Sequence, residues 1–220
     1  MNRRPRLAIT LGDPAGIGPE VILKALAKES RECDVTVFGH RALLTSCYQQ
    51  LINHSAQDYI NPERLLISDL EHPIAVQLGH PSVKTGAASF TYVKTAIDQT
   101  LSGEFDAVVT GPIAKSVWKQ AGHHYAGQTE LLAECSDVKR FGMMFVARSP
   151  HTQWQLRSLL ATTHIPLADV PRQLTPALLS RKLDLLLDCL ARDFGLTKPC
   201  LLYTSPSPRD LSTSRMPSSA

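Results

Sequence analysis

The chain has 220 residues, of which 43% are hydrophobic and 20% charged, an ordinary globular composition with room for one domain and part of a second. Its net charge is +3 with no long basic block, so the short cluster Arg3, Arg4 and Arg6 reads as a solvated terminus rather than a nucleic-acid arm. No apolar run reaches membrane-spanning length and the N-terminus lacks the apolar core of a signal peptide, so a cytoplasmic protein with no membrane partner is expected.

Leu7–Leu11 is an apolar strand candidate, followed by Gly12-Asp13-Pro14-Ala15-Gly16-Ile17-Gly18-Pro19-Glu20 and a helical pattern from Val21 to Ala27. Pro19 suits a first helical turn, where its missing N–H is not needed. Gly16 and Gly18 are expected to supply φ > 0 and close approach, and the free N–H groups at the helix start favour an anion. The stretch is no standard phosphate fingerprint. Val21 stands where a dinucleotide motif has its third glycine, and no Gly-Lys-Ser/Thr follows. A tight connection is the alternative reading of this turn.

Asp34–Phe38 reads as a second strand and Arg41–Leu51 as a helix. The region 53–81 is rich in turn formers, with short strands expected at Leu65–Ile67 and Ile74–Val76. A helix is predicted over Lys84–Ser102. Phe90, Val93, Ile97 and Leu101 share its core face, and Gly103 stands at its end.

Ala107–Thr110 is a buried strand candidate, broken by Gly111-Pro112, with a helix expected over Ile113–Ala121. Gly127-Gln128-Thr129-Glu130 opens a short helix through Ala133. Met143–Ala147 and Trp154–Ala161 read as further strands. Thr175 caps and Pro176 starts a long helix, with Leu179, Leu183, Leu186, Leu190 and Phe194 on one face and Gly195 at its end. The alternation argues an α/β fold class with a largely parallel sheet.

Five cysteines, Cys33, Cys47, Cys135, Cys189 and Cys200, form no C-x-x-C pair. Reduced structural thiols are expected rather than a disulfide framework or zinc knuckle. From Leu201 to Ala220 the chain has six serines and three prolines and no periodic apolar face. Such a stretch cannot offset its chain entropy by burial. It reads as a disordered tail or, preferably, as non-native coding sequence, and is set aside from the fold.

Three motifs stand in order: GDPAGIGPE at Gly12–Glu20, TGPIAK at Thr110–Lys115 and GQTELLAE at Gly127–Glu134. A fourth, TTHIPL, follows at Thr162–Leu167. Together they resemble the 4-hydroxythreonine-4-phosphate dehydrogenase family of vitamin B6 biosynthesis, over roughly Arg6 to Pro199. The resemblance implies an isocitrate/isopropylmalate dehydrogenase-like two-domain α/β fold around a cleft, here incomplete. The division expected is 1–125 for the N-terminal part of the first α/β domain, 126–200 for the start of the second and 201–220 for the disordered or non-native tail.

The resemblance also implies a homodimer, NAD or NADP as cofactor and a divalent metal such as Zn, Mg or Co. The implied reaction oxidises the C3 hydroxyl of a small phosphorylated substrate, 4-phosphooxy-L-threonine. Loss of carbon dioxide then gives 3-amino-2-oxopropyl phosphate. A metal chelating the hydroxyl and its neighbour would acidify the alcohol and stabilise the enolate of decarboxylation.

His164 matches the family's metal-ligand histidine and is expected at the end of a strand; alone, it would be a core or surface histidine. Thr129 matches the substrate-binding threonine, with a helix cap as the plainer reading. Gln128 departs from the histidine common there. It can donate and accept a hydrogen bond but cannot titrate, so positioning survives and proton transfer does not. Lys115 is the catalytic candidate, facing a carboxylate or phosphate, or else an exposed lysine on a first helical turn. Cofactor-binding residues are not assigned. Asp13 is read as a turn former, and adjacent His123 and His124 as loop residues. His40, His54, His72, His80 and His151 are read as surface or core.

The family's other metal-ligand histidines, its phosphate-binding lysine and arginine and most cofactor contacts are expected beyond Pro199, where this chain departs at Cys200. The 220-residue polypeptide is therefore expected to be inactive and poorly folded alone. Two alternatives stand beside this reading. One is a paralogue acting on a phosphorylated four-carbon sugar acid, kept open by Gln128. The other is a non-catalytic truncated binding module.

Overall fold

The computed structural model describes residues 3–28, 32–54, 58–70 and 76–199. The chain divides into two compact units, Met1–Lys139 and Arg140–Ala220.

The first unit runs β1 (Arg6–Thr10), α1 (Gly18–Ala27), β2 (Asp34–Gly39), α2 (Arg41–His54), β3 (Leu66–Asp69), α3 (Val83–Leu101), β4 (Ala107–Thr110), α4 (Lys115–Gln120) and α5 (Gln128–Cys135). Its strands form one parallel sheet in the order β3-β2-β1-β4. Ala8 of β1 lies opposite Thr36 of β2 and Val108 of β4. Apolar β-branched runs flanked by helical periods favour this arrangement, because crossover helices can cover a parallel sheet. Ala8, Leu23, Val37, Phe38, Leu44, Tyr92 and Ala96 are wholly buried in its core.

A second cluster joins Val93 and Ile97 of α3 to Trp118 of α4 and Leu131 of α5. Trp118 also donates its indole N–H to Ser89 Oγ at 2.5 Å. A division after residue 125 would assign α5 to the second part, but Leu131 is buried in the first unit and the compact units part at Lys139/Arg140.

The ends of α3 follow from local chemistry. Ser82 caps it, its Oγ accepting from the Thr85 N–H while the Ser82 N–H donates to Thr85 Oγ1. Val93 and Ile97 are buried as expected, but Leu101, at the last turn, is 55% exposed. α4 starts two residues later than the sequence suggests, because Ala114 is extended. β3 lies one residue later than expected. The strand expected over Ile74–Val76 falls, but for Val76, outside the described residues, as do Cys200 and the segment 201–220. Cys47 and Cys135 are free thiols whose pKa burial pushes up, in keeping with a structural role.

In the second unit β5 (Met144–Arg148) and β6 (Gln155–Leu159) form an antiparallel pair, with Val146 opposite Arg157. This corrects the expectation of a largely parallel sheet for this part. The link from Arg148 to Gln155 is too short for the crossover that parallel pairing needs. A 3-10 turn (Leu167–Asp169), α6 (Val170–Gln173) and α7 (Pro176–Phe194) follow.

Thr175 Oγ1 accepts from the Leu178 N–H, and Gly195 ends α7 at φ +66. The apolar face of α7 is covered only in part. Leu190 is buried, whereas Leu179 and Leu183 are 43% and 46% exposed. Within this unit, the Arg157 guanidinium sits 4.7 Å over the Phe194 ring. No helix among the described residues is long and apolar enough to cross a membrane.

Candidate functional site

In the first unit β1 has β2 on one side and β4 on the other. The chain leaves β1 toward β2 and later returns to add β4 on the opposite edge. Loops that diverge this way leave a crevice at the carboxyl ends of the strands, where open α/β sheets place ligands. The segments concerned are Gly12–Glu20 after β1, which runs into the first turn of α1, and Gly111–Ala114 after β4.

These loops are tied together by backbone and side-chain hydrogen bonds. The Gly111 N–H donates to the Thr10 carbonyl at 2.9 Å, and the Asp13 N–H donates to the Pro112 carbonyl at 2.9 Å. The Gln128 side-chain amide, at the start of α5, donates to the Gly111 carbonyl at 3.0 Å. The motifs at Gly12–Glu20, Thr110–Lys115 and Gly127–Glu134 therefore meet at one edge of the first unit.

The glycines of the first loop serve this packing. Gly12 holds φ +73, and a Cβ there would lie 2.3 Å from the Pro112 carbonyl oxygen. A Cβ on Gly18 would lie 2.0 Å from the Leu11 carbonyl oxygen. Positive φ thus falls on Gly12 and not on Gly16 or Gly18, which corrects the sequence reading. The close approaches are to the protein's own backbone, so these glycines do not form a cradle for a dinucleotide pyrophosphate.

Asp13 is 3% exposed. Its Oδ1 accepts from the Ala15 N–H at 2.9 Å, which is the turn-forming role expected of it. Its Oδ2 is shielded from solvent and has no partner among the described residues. His40, 8% exposed and directly after β2, is bonded to Tyr92 of α3. The Tyr92 hydroxyl and His40 Nδ1 are hydrogen-bonded at 2.5 Å. Burial, helped by the Asp69 and Asp13 carboxylates, pushes the Tyr92 ionisation well above its usual range, so the hydroxyl keeps its proton. Sequence reasoning grouped His40 with the unremarkable histidines. Its place immediately after a predicted strand was the available signal.

Lys115 is the first residue of α4 and is exposed. Its Nζ lies 3.4 Å from the point that a Cβ on Gly127 would occupy. Gln128, Thr129 and Glu130 form the first turn of α5 and are half-buried. The N-cap is Gly127, so Thr129 is not the cap, and its hydroxyl makes no hydrogen bond among the described residues. First-turn N–H groups have no intrahelical partner and, with the Thr129 hydroxyl, can hold an anionic group. Glu130, which sequence reasoning passed over, also borders Gly127, with Oε2 at 3.3 Å from the same Cβ point.

His164 belongs to the second unit. β6 ends at Leu159, so His164 lies in the following loop rather than at the strand end, which corrects the expectation. It is exposed and adopts φ +58, a left-handed conformation uncommon for a residue with a side chain. Among the described residues no three His, Cys, Asp or Glu side chains gather in a way that could hold a metal ion. The described residues therefore do not by themselves form a metal centre. In the loop after α4, His123 stacks on Phe90 at 3.5 Å, and its pKa is lowered by burial and then by His124.

A family model described as the pyridoxal phosphate biosynthetic protein PdxA matches residues 31–205. A 4-hydroxythreonine-4-phosphate dehydrogenase of Nostoc sp. is 55% identical over 201 residues, covering 88% of this chain and 56% of that protein. Its counterpart in Synechocystis sp. is 51% identical, covering 93% of this chain and 60% of that protein.

Among solved structures, a 4-hydroxythreonine-4-phosphate dehydrogenase from Burkholderia phymatum aligns with TM-score 0.68 and 31% identity, covering 86% of this chain and 59% of that one. The chain thus spans less than two thirds of the length of these relatives. The match to the family model and the identity to these relatives show that the chain belongs to the PdxA family of pyridoxal phosphate biosynthetic proteins.

Proposed function

We propose that this sequence carries the substrate-binding part of an NAD- or NADP-dependent, divalent-metal-dependent 4-hydroxythreonine-4-phosphate dehydrogenase, a cytoplasmic homodimer of isocitrate/isopropylmalate dehydrogenase-like fold. The observation that supports it most is the meeting of three motifs at the switch point between β1 and β4, fastened by the Gln128–Gly111 hydrogen bond. In the proposed reaction the C3 hydroxyl of 4-phosphooxy-L-threonine is oxidised and the β-keto acid loses carbon dioxide. NAD(P) accepts the hydride when bound.

The chain's own residues bind and orient. Thr129 and the first-turn N–H groups of α5 hold an anionic group of the substrate. Lys115 contacts a carboxylate or phosphate from the edge of α4. Gln128, spent in part on Gly111, fixes the position of that turn and moves no proton. His164 is proposed as one metal ligand, and its left-handed backbone fits a residue retained for function at some conformational cost.

The test is a dehydrogenase assay following NAD(P)H formation. It compares the 220-residue chain with a version extended to the length of the relatives, each supplied with 4-phosphooxy-L-threonine and a divalent metal. The extended version should turn over and the 220-residue chain should not. Turnover of the phosphorylated sugar acid alone by the extended version would favour the paralogue that Gln128 keeps open. Turnover by the 220-residue chain would overturn the expectation that it is inactive.

A further inference from the structure

We propose that His123 is a positioning residue for the anion-binding turn of α5: its neutral imidazole, stacked on Phe90, holds the link that presents this turn, and protonation of the ring releases the link. This rests on the function proposed above and adds a control of that site by pH.

The link between α4 and α5 is the stretch 121–126, and it runs into Gly127, the N-cap of α5. His123 and Tyr125 are half-buried, and both stack on Phe90 of α3, with ring centroids 3.5 Å and 6.0 Å away. His124, between them, is exposed. The His123 N–H donates to the Trp118 carbonyl at 2.9 Å, and the Tyr125 hydroxyl donates to Glu134 Oε1 at 2.9 Å. The link is thus fastened to α3, α4 and α5. Two residues after Tyr125 stands Gly127, and the anion-binding turn with Gln128 and Thr129 follows directly.

The His123 imidazole is held by stacking alone. Its ring lies 4° from parallel to Phe90, and its nitrogens make no hydrogen bond or ion pair among the described residues. Burial first, and the neighbouring His124 second, lower its pKa below the ordinary 6.5. Of the charged groups on the surrounding elements, Lys94 of α3 is paired with Asp98, and Glu134 of α5 takes the Tyr125 hydroxyl. Lys119 of α4 makes no ion pair among the described residues. No carboxylate therefore stands by the ring to favour an imidazolium.

Above the ordinary histidine value of 6.5 the ring is neutral whether the link is docked or released, and the docked link is favoured in full. As pH falls below that value the released ring takes up a proton more readily than the stacked one, and the docked link loses ground. Gln128 carries no titratable group, so a response of this turn near neutral pH has its source in the link.

The test measures the Kd of 4-phosphooxy-L-threonine by titration calorimetry at about pH 7.5 and about pH 5.5, on either side of the histidine range. It uses the 220-residue chain and its His123→Phe and His124→Gln variants. Phenylalanine keeps a ring to stack on Phe90 and takes no proton. Its titration also carries that of the ligand's own phosphate, near about pH 6, which the comparison removes. Circular dichroism checks that each variant keeps the wild-type helix content. A proton NMR titration of His123 in the wild-type chain is independent of the variants.

Between the two pH values the wild-type chain should lose about threefold more affinity than His123→Phe, and His124→Gln should keep that excess. The NMR titration of His123 should fall below the ordinary histidine value. Equal losses in the wild-type chain and His123→Phe, disappearance of the excess in His124→Gln, or a His123 titrating at or above the ordinary value overturns the proposal and leaves the site intact. Failure of the wild-type chain to bind at the higher pH overturns the site as well.

Discussion

The side-chain amide of Gln128 donates to the carbonyl of Gly111 at 3.0 Å, joining the first turn of α5 to the break that ends β4. This one bond fixes where the α5 N-terminus stands relative to the carboxyl edge of the sheet. Gln128→Ala should lower stability by about 1 kcal/mol, the usual worth of a lost hydrogen bond, with a shift in urea midpoint at unchanged slope. Gln128→His should make ligand binding depend on pH around the imidazole range near about 6.5, where the wild-type chain shows no such step at this position.

The three glycines of the first loop are not equivalent, and alanine substitution separates them. A Cβ on Gly12 meets the Pro112 carbonyl at 2.3 Å and adds the strain of φ +73. A Cβ on Gly18 meets the Leu11 carbonyl at 2.0 Å. Both neighbours are backbone and cannot turn aside, so each substitution should cost about 3 kcal/mol. A Cβ on Gly16 meets only ordinary contact at 3.4 Å from the Asp13 carbonyl, without positive φ. Gly16→Ala should stay within about 1 kcal/mol of wild type. Denaturant titration of the three variants checks the order.

Tyr92 gives stability a signed dependence on pH. Its hydroxyl is wholly buried against His40, and its pKa is raised above the ordinary 10.0, chiefly by burial. The unfolded chain therefore releases this proton near the ordinary value while the folded chain retains it. The contribution is fully present below that pH and is lost as pH rises above it, at about 1.4 kcal/mol per pH unit. Stability measured from neutral pH to strongly alkaline pH should fall more steeply in the wild-type chain than in Tyr92→Phe. Identical slopes would show that the hydroxyl ionises alike in both states.

Much of this architecture is legible in the residues. Thr175 announces α7 and Gly195 stops it, because caps act through bonds made within a few residues, whereas the Ser82 cap of α3 emerged only with the structure. The parallel strands β1, β2 and β4 stand out as apolar runs between helical periods. The antiparallel β5–β6 pair was missed, although the short link between the strands carried the signal. Leu179 and Leu183 show the limit of periodicity, which marks an apolar face of α7 but does not say what covers it.

Of the candidate site, the motifs single out Lys115, Gln128 and Thr129, and the fold brings their elements together at one edge of the sheet. The shielding of Glu130 Oε2 was not legible, since nothing in a sequence reports that a carboxylate oxygen will be buried and left without a partner among the described residues. His164 was placed at a strand end because the apolar run extends the expected strand to Ala161, whereas the strand stops at Leu159.

The central claim is that the substrate binds where the loops after β1 and β4 meet α5. Amide hydrogen exchange of the 220-residue chain, with and without 4-phosphooxy-L-threonine, tests it most directly. Slowed exchange at Asp13–Ala15, Gly111–Lys115 and Gly127–Glu130, with the rest of the first unit unchanged, is the expected result. Protection confined to other segments, or no protection at saturating ligand, would contradict it.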